Sequence, residues 1–200
     1  MQPENIYGAF DRGTWKKCRQ FAVDSLDSSA DEYARRGQED PGRKIIQTTN
    51  GKLVELQAFS AYQPRFSDLT PPDFEIYQKK DKSWTPDLIS KLYDIRIAVK
   101  AKFDEDAERW GPSWIFEKTD RKIFGSKLDA KNLDPHQYVC MGIVDPICRE
   151  VWLKACVKLQ WLHDNNLFTK PDRDYLGTKL TVRLENMEKV ISNPDELWQL

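Results

Sequence analysis

Three residues of this chain have types and an order that suit a defined chemistry. Gly51-Lys52-Leu53-Val54-Glu55 places a carboxylate on a predicted helix. Pro86-Asp87-Leu88 places an acid on a predicted strand, and Ile97-Ala98-Val99-Lys100 places a lysine on the next one, thirteen positions after Asp87. Carboxylate oxygens hold a hard cation, usually Mg²⁺. Such a cation polarises a phosphate and acidifies an attacking water. A nearby lysine orients that water and offsets the negative charge that develops. Side chains on one face of neighbouring strands converge, so a strand pair is a suitable platform for metal-dependent phosphodiester cleavage.

Periodicity gives the elements that must position these groups. Thr14 to about Leu26 reads as a helix capped by Thr14, with Trp15, Cys18, Phe21, Ala22 and Leu26 at helical spacing. A second short helix holds Tyr33, and Gly37–Gly42 is a turn-rich loop. A third helix runs from about Gly51, or from as early as Lys44, to Tyr62 and is ended by Pro64. At 100° steps Glu55 falls between Ala58, Phe59 and Tyr62, with Gln57 and Ser60 opposite and Leu53 an exception on the polar side. That apolar flank predicts a carboxyl that titrates high without metal.

Extended stretches follow at Phe74–Gln78, Ser83–Ile89 and Tyr93–Phe103. In the last, Ile95, Ile97 and Val99 share one face, and Asp94, Arg96, Ala98 and Lys100 the other. Asp104–Arg109 reads as a solvated acidic segment, and Trp114–Glu117 as a short helical turn or strand. Gln137–Val144 and Glu150–Val157 read as strands, Lys158–Asn165 and Lys179–Ile191 as helices, and Asn193-Pro194 as the start of a terminal turn. The order predicts one α/β (α+β) domain over 1–200, a central mixed sheet flanked by helices. Its parts would be an N-terminal helical region 1–43, a core 44–157 and a C-terminal helical region 158–200.

Composition bounds the function. Two hundred residues suit about one domain at roughly 150 residues each. Forty per cent hydrophobic residues, with seven Trp, seven Tyr and nine Phe, supply a core and argue against disorder. The longest apolar stretch, Val139–Val144, is too short to span a bilayer. Met-Gln-Pro-Glu does not read as a secretory signal. Cys18, Cys140, Cys148 and Cys156 form no CxxC pair and read as buried thiols in a reducing cytoplasm. A net charge of −1 gives no general cationic field, so indiscriminate nucleic-acid binding is not expected. A local basic groove is still compatible with it. His136 and His163 stand in no motif, and no Gly-rich phosphate loop points to a nucleotide cofactor.

The ordered set formed by the GK-L-x-E helix, the Pro86-Asp87 dipeptide, the Val99-Lys100 strand and Ser113-Trp114-Ile115-Phe116 resembles the PD-(D/E)XK nuclease superfamily. It is similar to nuclease-like proteins common in bacteriophages. The resemblance covers about Arg36 to Glu117, and more loosely the chain to Met187. It implies a restriction-endonuclease-like fold and a Mg²⁺-dependent hydrolase (with Mn²⁺ as the substitute metal) that cuts DNA in the host cytoplasm. By position it makes Asp87 the central metal ligand and Glu55 a ligand of the same metal. Lys100 would position the water, and the Val99 backbone carbonyl would complete the coordination. The second acid should lie two residues before the lysine, where this chain has Ala98. Asp94 lies about 20 Å along the strand from Lys100, too far to replace it. Glu117 is the better substitute, because its segment returns near the site in the family.

Other readings stay open. Glu55 could pair with Lys52 or Lys44, Asp87 could be an ordinary turn acid, and Lys100 a solvated strand lysine. Asp73, also preceded by proline, rivals Asp87. Lys79, Lys80, Lys82, Lys91, Arg96 and Lys102 form either a phosphate-binding rim or a solvated face. Trp84, Trp110 and Trp114 either stack on bases or fill the core. With Ala98 in the acid's place, the chain could also be an inactive nuclease-fold module that binds nucleic acid or protein. An RNA- or structure-specific nuclease fits the same residues. A two-fold homodimer would suit cutting both strands.

Overall fold

A computed structural model describes residues 6–26, 40–77, 86–118, 127–128, 134–171 and 179–200, of which 117–118 and 127–128 by backbone alone. Strand β1 (Tyr7–Ala9) leads into helix α1 (Arg12–Asp24). The cap is Asp11 rather than Thr14: its carboxylate accepts from the Thr14 N–H at 2.8 Å and the Thr14 hydroxyl at 3.1 Å. Helix α2 (Pro41–Tyr62) is longer than its periodicity suggested. Asp40 accepts from the N–H groups of Gly42 and Arg43, and Pro41 sits in the first turn, where its missing N–H costs nothing. Pro41 and Gly42 therefore open a helix instead of closing a loop. The short helix expected at Tyr33 lies outside the described residues.

Strands β2 (Leu88–Ser90) and β3 (Ile95–Phe103) form an antiparallel pair in the register Leu88↔Ile97. The stretch Phe74–Gln78, expected to be extended, carries no ladder pairing over its described residues 74–77. Helix α3 (Asp104–Trp110) takes the acidic stretch expected to be merely solvated. Asp104, Glu105 and Asp106 fall in its first turn, where the helix dipole favours negative charge, and Ala107 is buried. Then come β4 (Ser113–Lys118), β5 (Lys127–Leu128), β6 (Gln137–Asp145), β7 (Glu150–Lys158) and helix α4 (Leu159–Asp164).

The helix expected over Lys179–Ile191 is instead strand β8 (Lys179–Arg183) followed by the short helix α5 (Leu184–Glu188). Thr181 and Val182 are β-branched, and β8 pairs with β4 with Trp114 opposite Val182. Tertiary pairing thus overrides the helical spacing of Leu180, Leu184 and Met187. A 3-10 turn at Pro194–Leu197 closes the chain, with Asn193 and Glu196 forming a capping box.

The strands form a five-stranded mixed sheet, β1-β7-β6-β3-β2, and a smaller sheet, β5-β4-β8. In the larger sheet only β3 and β6 run parallel. Helix α2 covers one face, packing Leu53, Val54, Ala58 and Tyr62 with Leu88, Ile97, Cys140 and Leu153. On the other face Ala98, Val139, Met141 and Val157 meet Trp114, Phe116 and Val182 of the smaller sheet and Leu162 of α4. This coverage explains the unbroken apolar run at Val139–Val144, since a strand buried on both faces has no polar side to alternate with. Helix α1 packs against α2 as well, and Leu53, the exception in the helical pattern, is fully buried. The result is a single α+β domain with a mixed sheet flanked by helices. No helix among the described residues is long and apolar enough to cross a membrane.

Helix α2 packs closely on the sheet at Gly142, beside an irregularity in the β6–β7 ladder. A Cβ on Gly142 would lie 2.6 Å from Val54 Cγ1 and 3.3 Å from the Trp152 carbonyl oxygen. Val54 is stiff and buried, and backbone cannot yield cheaply. Gly142→Ala is expected to destabilise the fold by about 1–3 kcal/mol. Urea denaturation checks this, and an unchanged midpoint would contradict the close approach.

Candidate functional site

Glu55 projects from α2 into the space between that helix, α1 and the sheet edge, and only 8% of its surface is exposed. One turn back on the same helix face, Lys52 Nζ donates to Glu55 Oε2 at 2.5 Å. The ammonium also lies 5.1 Å from the Phe21 ring centre and 5.6 Å from that of Phe74, which form an aromatic wall. Burial pushes the Glu55 carboxyl up to about 8, the charge of Asp87 adds to the rise, and Lys52 opposes it. Cys18 of α1 belongs to the same neighbourhood: burial and the Glu55 charge push its thiol up to about 11.

Asp87 stands one residue before β2, beyond the Leu88↔Ile97 pair. Its Oδ2 accepts from the Val99 N–H at 2.6 Å. The residue presents surface to solvent, yet its carboxyl is held above its ordinary value by the protein crowded around it. The Val99 hydrogen bond and the charges of Lys52 and Lys100 pull the other way. In an extended strand the N–H and C=O of one residue project from the same edge. The Val99 carbonyl therefore faces the side where Asp87 lies.

Lys100 sits on the opposite face of β3 from the α2 contact, with Nζ 5.2 Å from the centre of the Phe116 ring. Phe116 of β4, which is fully buried, is thus the residue of the Ser113–Phe116 segment that lies against the lysine. The structure thus gathers Glu55, Asp87, Lys52 and Lys100 into one electrostatic neighbourhood at the β2–β3 edge. Lys52 is the member that the sequence offered only as an ordinary helix-surface partner.

Asp73 lies at the margin of the cluster, close enough for its charge to raise Glu55. Its oxygens are engaged by the Glu75 N–H and the Tyr77 hydroxyl, each at 2.8 Å. Glu117 lies in β4 opposite Lys179, and its side chain is outside the described portion. Asp94 is held by Arg96 at 2.8 Å, which also binds Asp134 at 2.7 Å, so Arg96 is an ion-paired residue on the surface of β3. Lys102 is tied to the Gly111 carbonyl and the Ser113 hydroxyl. Trp114 is core, with its indole N–H donating to the Gly142 carbonyl at 3.3 Å, while Trp110 is 42% exposed. Lys79, Lys80, Lys82 and Trp84 lie outside the described residues.

A second group of donors went unread in the sequence. Asp145, Cys148 and Glu150 bring one ligand atom each within 4.8 Å of one another at the β6–β7 turn. The D-x-x-C-x-E spacing across a hairpin turn was the available signal. Asp145 already accepts from the N–H groups of Ile147 and Cys148, and Glu150 from the Tyr7 hydroxyl at 2.7 Å. The turn's own hydrogen bonds account for this cluster. Cys148 is exposed, unlike the buried Cys18, Cys140 and Cys156, so the expectation of four buried thiols is corrected there: a turn residue has no core to enter.

No family model, curated protein or solved structure matches this chain.

Glu55 retains a proton up to about pH 8 in the folded chain, against 4.5 for an ordinary glutamate. The folded state therefore binds more protons over that window, and stability falls as pH rises through it. Asp87, also raised, adds to the same slope. Glu55→Gln should be near neutral at about pH 5 and stabilising by on the order of 1–3 kcal/mol at about pH 9. Denaturation curves at the two pH values test this, and a pH-independent difference would contradict the buried acid.

Proposed function

We propose that this chain is a Mg²⁺-dependent phosphodiesterase that cuts DNA by attack of water on phosphorus. The observation that carries the proposal is a pair of neighbouring carboxylates, Glu55 and Asp87, both held above their ordinary pKa and flanked by two lysines. Two crowded acids repel one another, and a divalent cation relieves that repulsion more fully than one lysine can. The donor set fits such an ion, being hard oxygens from Glu55 and Asp87 with the Val99 carbonyl alongside. A bound cation would supply Lewis acidity toward the phosphate and its water.

The chain's own side chains do the remainder. Asp87 is fixed by the Val99 N–H, so its second oxygen keeps a set direction. Lys100, placed against the Phe116 ring, orients the attacking water and offsets charge on the phosphorane oxygens. Lys52 holds Glu55 in its rotamer and keeps part of its charge matched.

A second reading keeps the fold and drops the catalysis. Ala98, 1% exposed and next to the Asp87 contact, leaves two carboxylates where the superfamily pattern has a further acid. That favours a module that binds nucleic acid or protein.

Supercoiled plasmid with Mg²⁺ or Mn²⁺ separates the two. The nuclease reading expects nicking or linearisation that increases as pH rises toward about 8, with a loss of about 100-fold or more in both Asp87→Ala and Lys100→Ala. Cleavage that survives both substitutions would remove the assigned site. DNA binding without cleavage would establish the module.

A further inference from the structure

The β6–β7 turn docks on the start of α1 and forms a second, separate feature there. The Phe10 N–H donates to the Arg149 carbonyl at 2.9 Å, which fixes the turn against the β1–α1 connection. Between them lies a hollow of about 240 Å³ lined by Arg12, Trp15, Lys16, Pro146 and Arg149. Three of its five lining residues are cations. The nearby carboxylate that feels Arg149 is Asp11, and its oxygens are bound to the N–H and hydroxyl of Thr14. Asp145 and Glu150, on the same turn, are likewise engaged by turn amides and by Tyr7.

Among the described residues, no carboxylate forms an ion pair with Arg12, Lys16 or Arg149. Arg149 Nε is buried with no hydrogen-bond partner. A buried guanidinium donor without an acceptor carries the full cost of its lost hydration. Three cations around one concavity also repel one another. Arg149 is moreover held at φ 59°, a left-handed backbone that a long side chain rarely adopts. The turn accepts that conformation, and Arg149 lines the hollow together with Arg12 and Lys16.

We propose that this hollow binds a phosphate group, free or as the monoester of a nucleotide. A phosphate offers three or more acceptor oxygens, matches the guanidinium fork in two-point contacts and neutralises the converging charge. Trp15 at the wall gives a nucleotide base an aromatic surface. The α1 amides are not the donors, because Asp11 already caps them. The site is built from side chains and does not depend on the carboxylate–lysine cluster around Glu55.

Calorimetric titration of the full chain with inorganic phosphate and with AMP tests the proposal. Saturable binding is expected, weakened about tenfold or more by Arg12→Gln and by Arg149→Asn. Asparagine is chosen because it tolerates the left-handed backbone, and thermal melts confirm that each variant is folded. Asp87→Ala should leave phosphate affinity unchanged, which separates this site from the proposed nuclease centre. AMP binding tighter than phosphate, with the difference lost in Trp15→Leu, would identify a nucleotide as the source. Equal affinities would identify free phosphate. Absence of saturable binding, or equal binding by wild type and by folded Arg12→Gln and Arg149→Asn, would overturn the proposal.

Discussion

The Lys52–Glu55 contact is the one around which the cluster is organised, because it lets a titratable acid sit inside a helix–sheet interface at all. An isolated buried carboxylate is costly, and a single partner on the same helix lowers that cost without abolishing it. The remainder shows in the raised carboxyl of Glu55. Helix α2 cannot turn this side chain outward without exposing Leu53, Val54 and Ala58, all fully buried. Packing therefore forces the acid inward, and the lysine, leaning on Phe21 and Phe74, makes the placement tolerable.

The sheet supplies the other half. Asp87 is drawn to β3 by the Val99 N–H just past the end of the short β2 ladder, where that amide would otherwise lack a strand partner. Ala98 leaves room beside this contact. Lys100 then reaches the neighbourhood from the other face of β3, supported by Phe116 of the smaller sheet. One cluster thus draws on both apolar cores, and a change in either would be felt at the acids.

Much of the framework was legible in the chain, and the reasons are physical. Strands β3, β6 and β7 were readable because alternation or a dense apolar run leaves little choice of element. The apolar flank of Glu55 was visible at helical steps, and with it the direction of its titration. The start of α2 was obscured because Pro41-Gly42 resembles a turn until Asp40 is recognised as a cap. The C-terminal strand was hidden because Leu180, Leu184 and Met187 satisfy helical spacing while Thr181 and Val182 answer to a partner strand far away in sequence. Lys52 as a neighbour of Asp87 and the hollow beside Arg149 depend on which element docks where, and a linear pattern does not encode that.

The larger sheet ends on each side in a strand of only three residues, β1 and β2. Short rims present few unpaired backbone groups, so another chain finds little template for adding a strand. A net charge of −1 gives the molecule almost no long-range self-repulsion to keep copies apart. In a molecule with so little net charge, the shortness of the two rim strands is the feature that limits edge-to-edge pairing there.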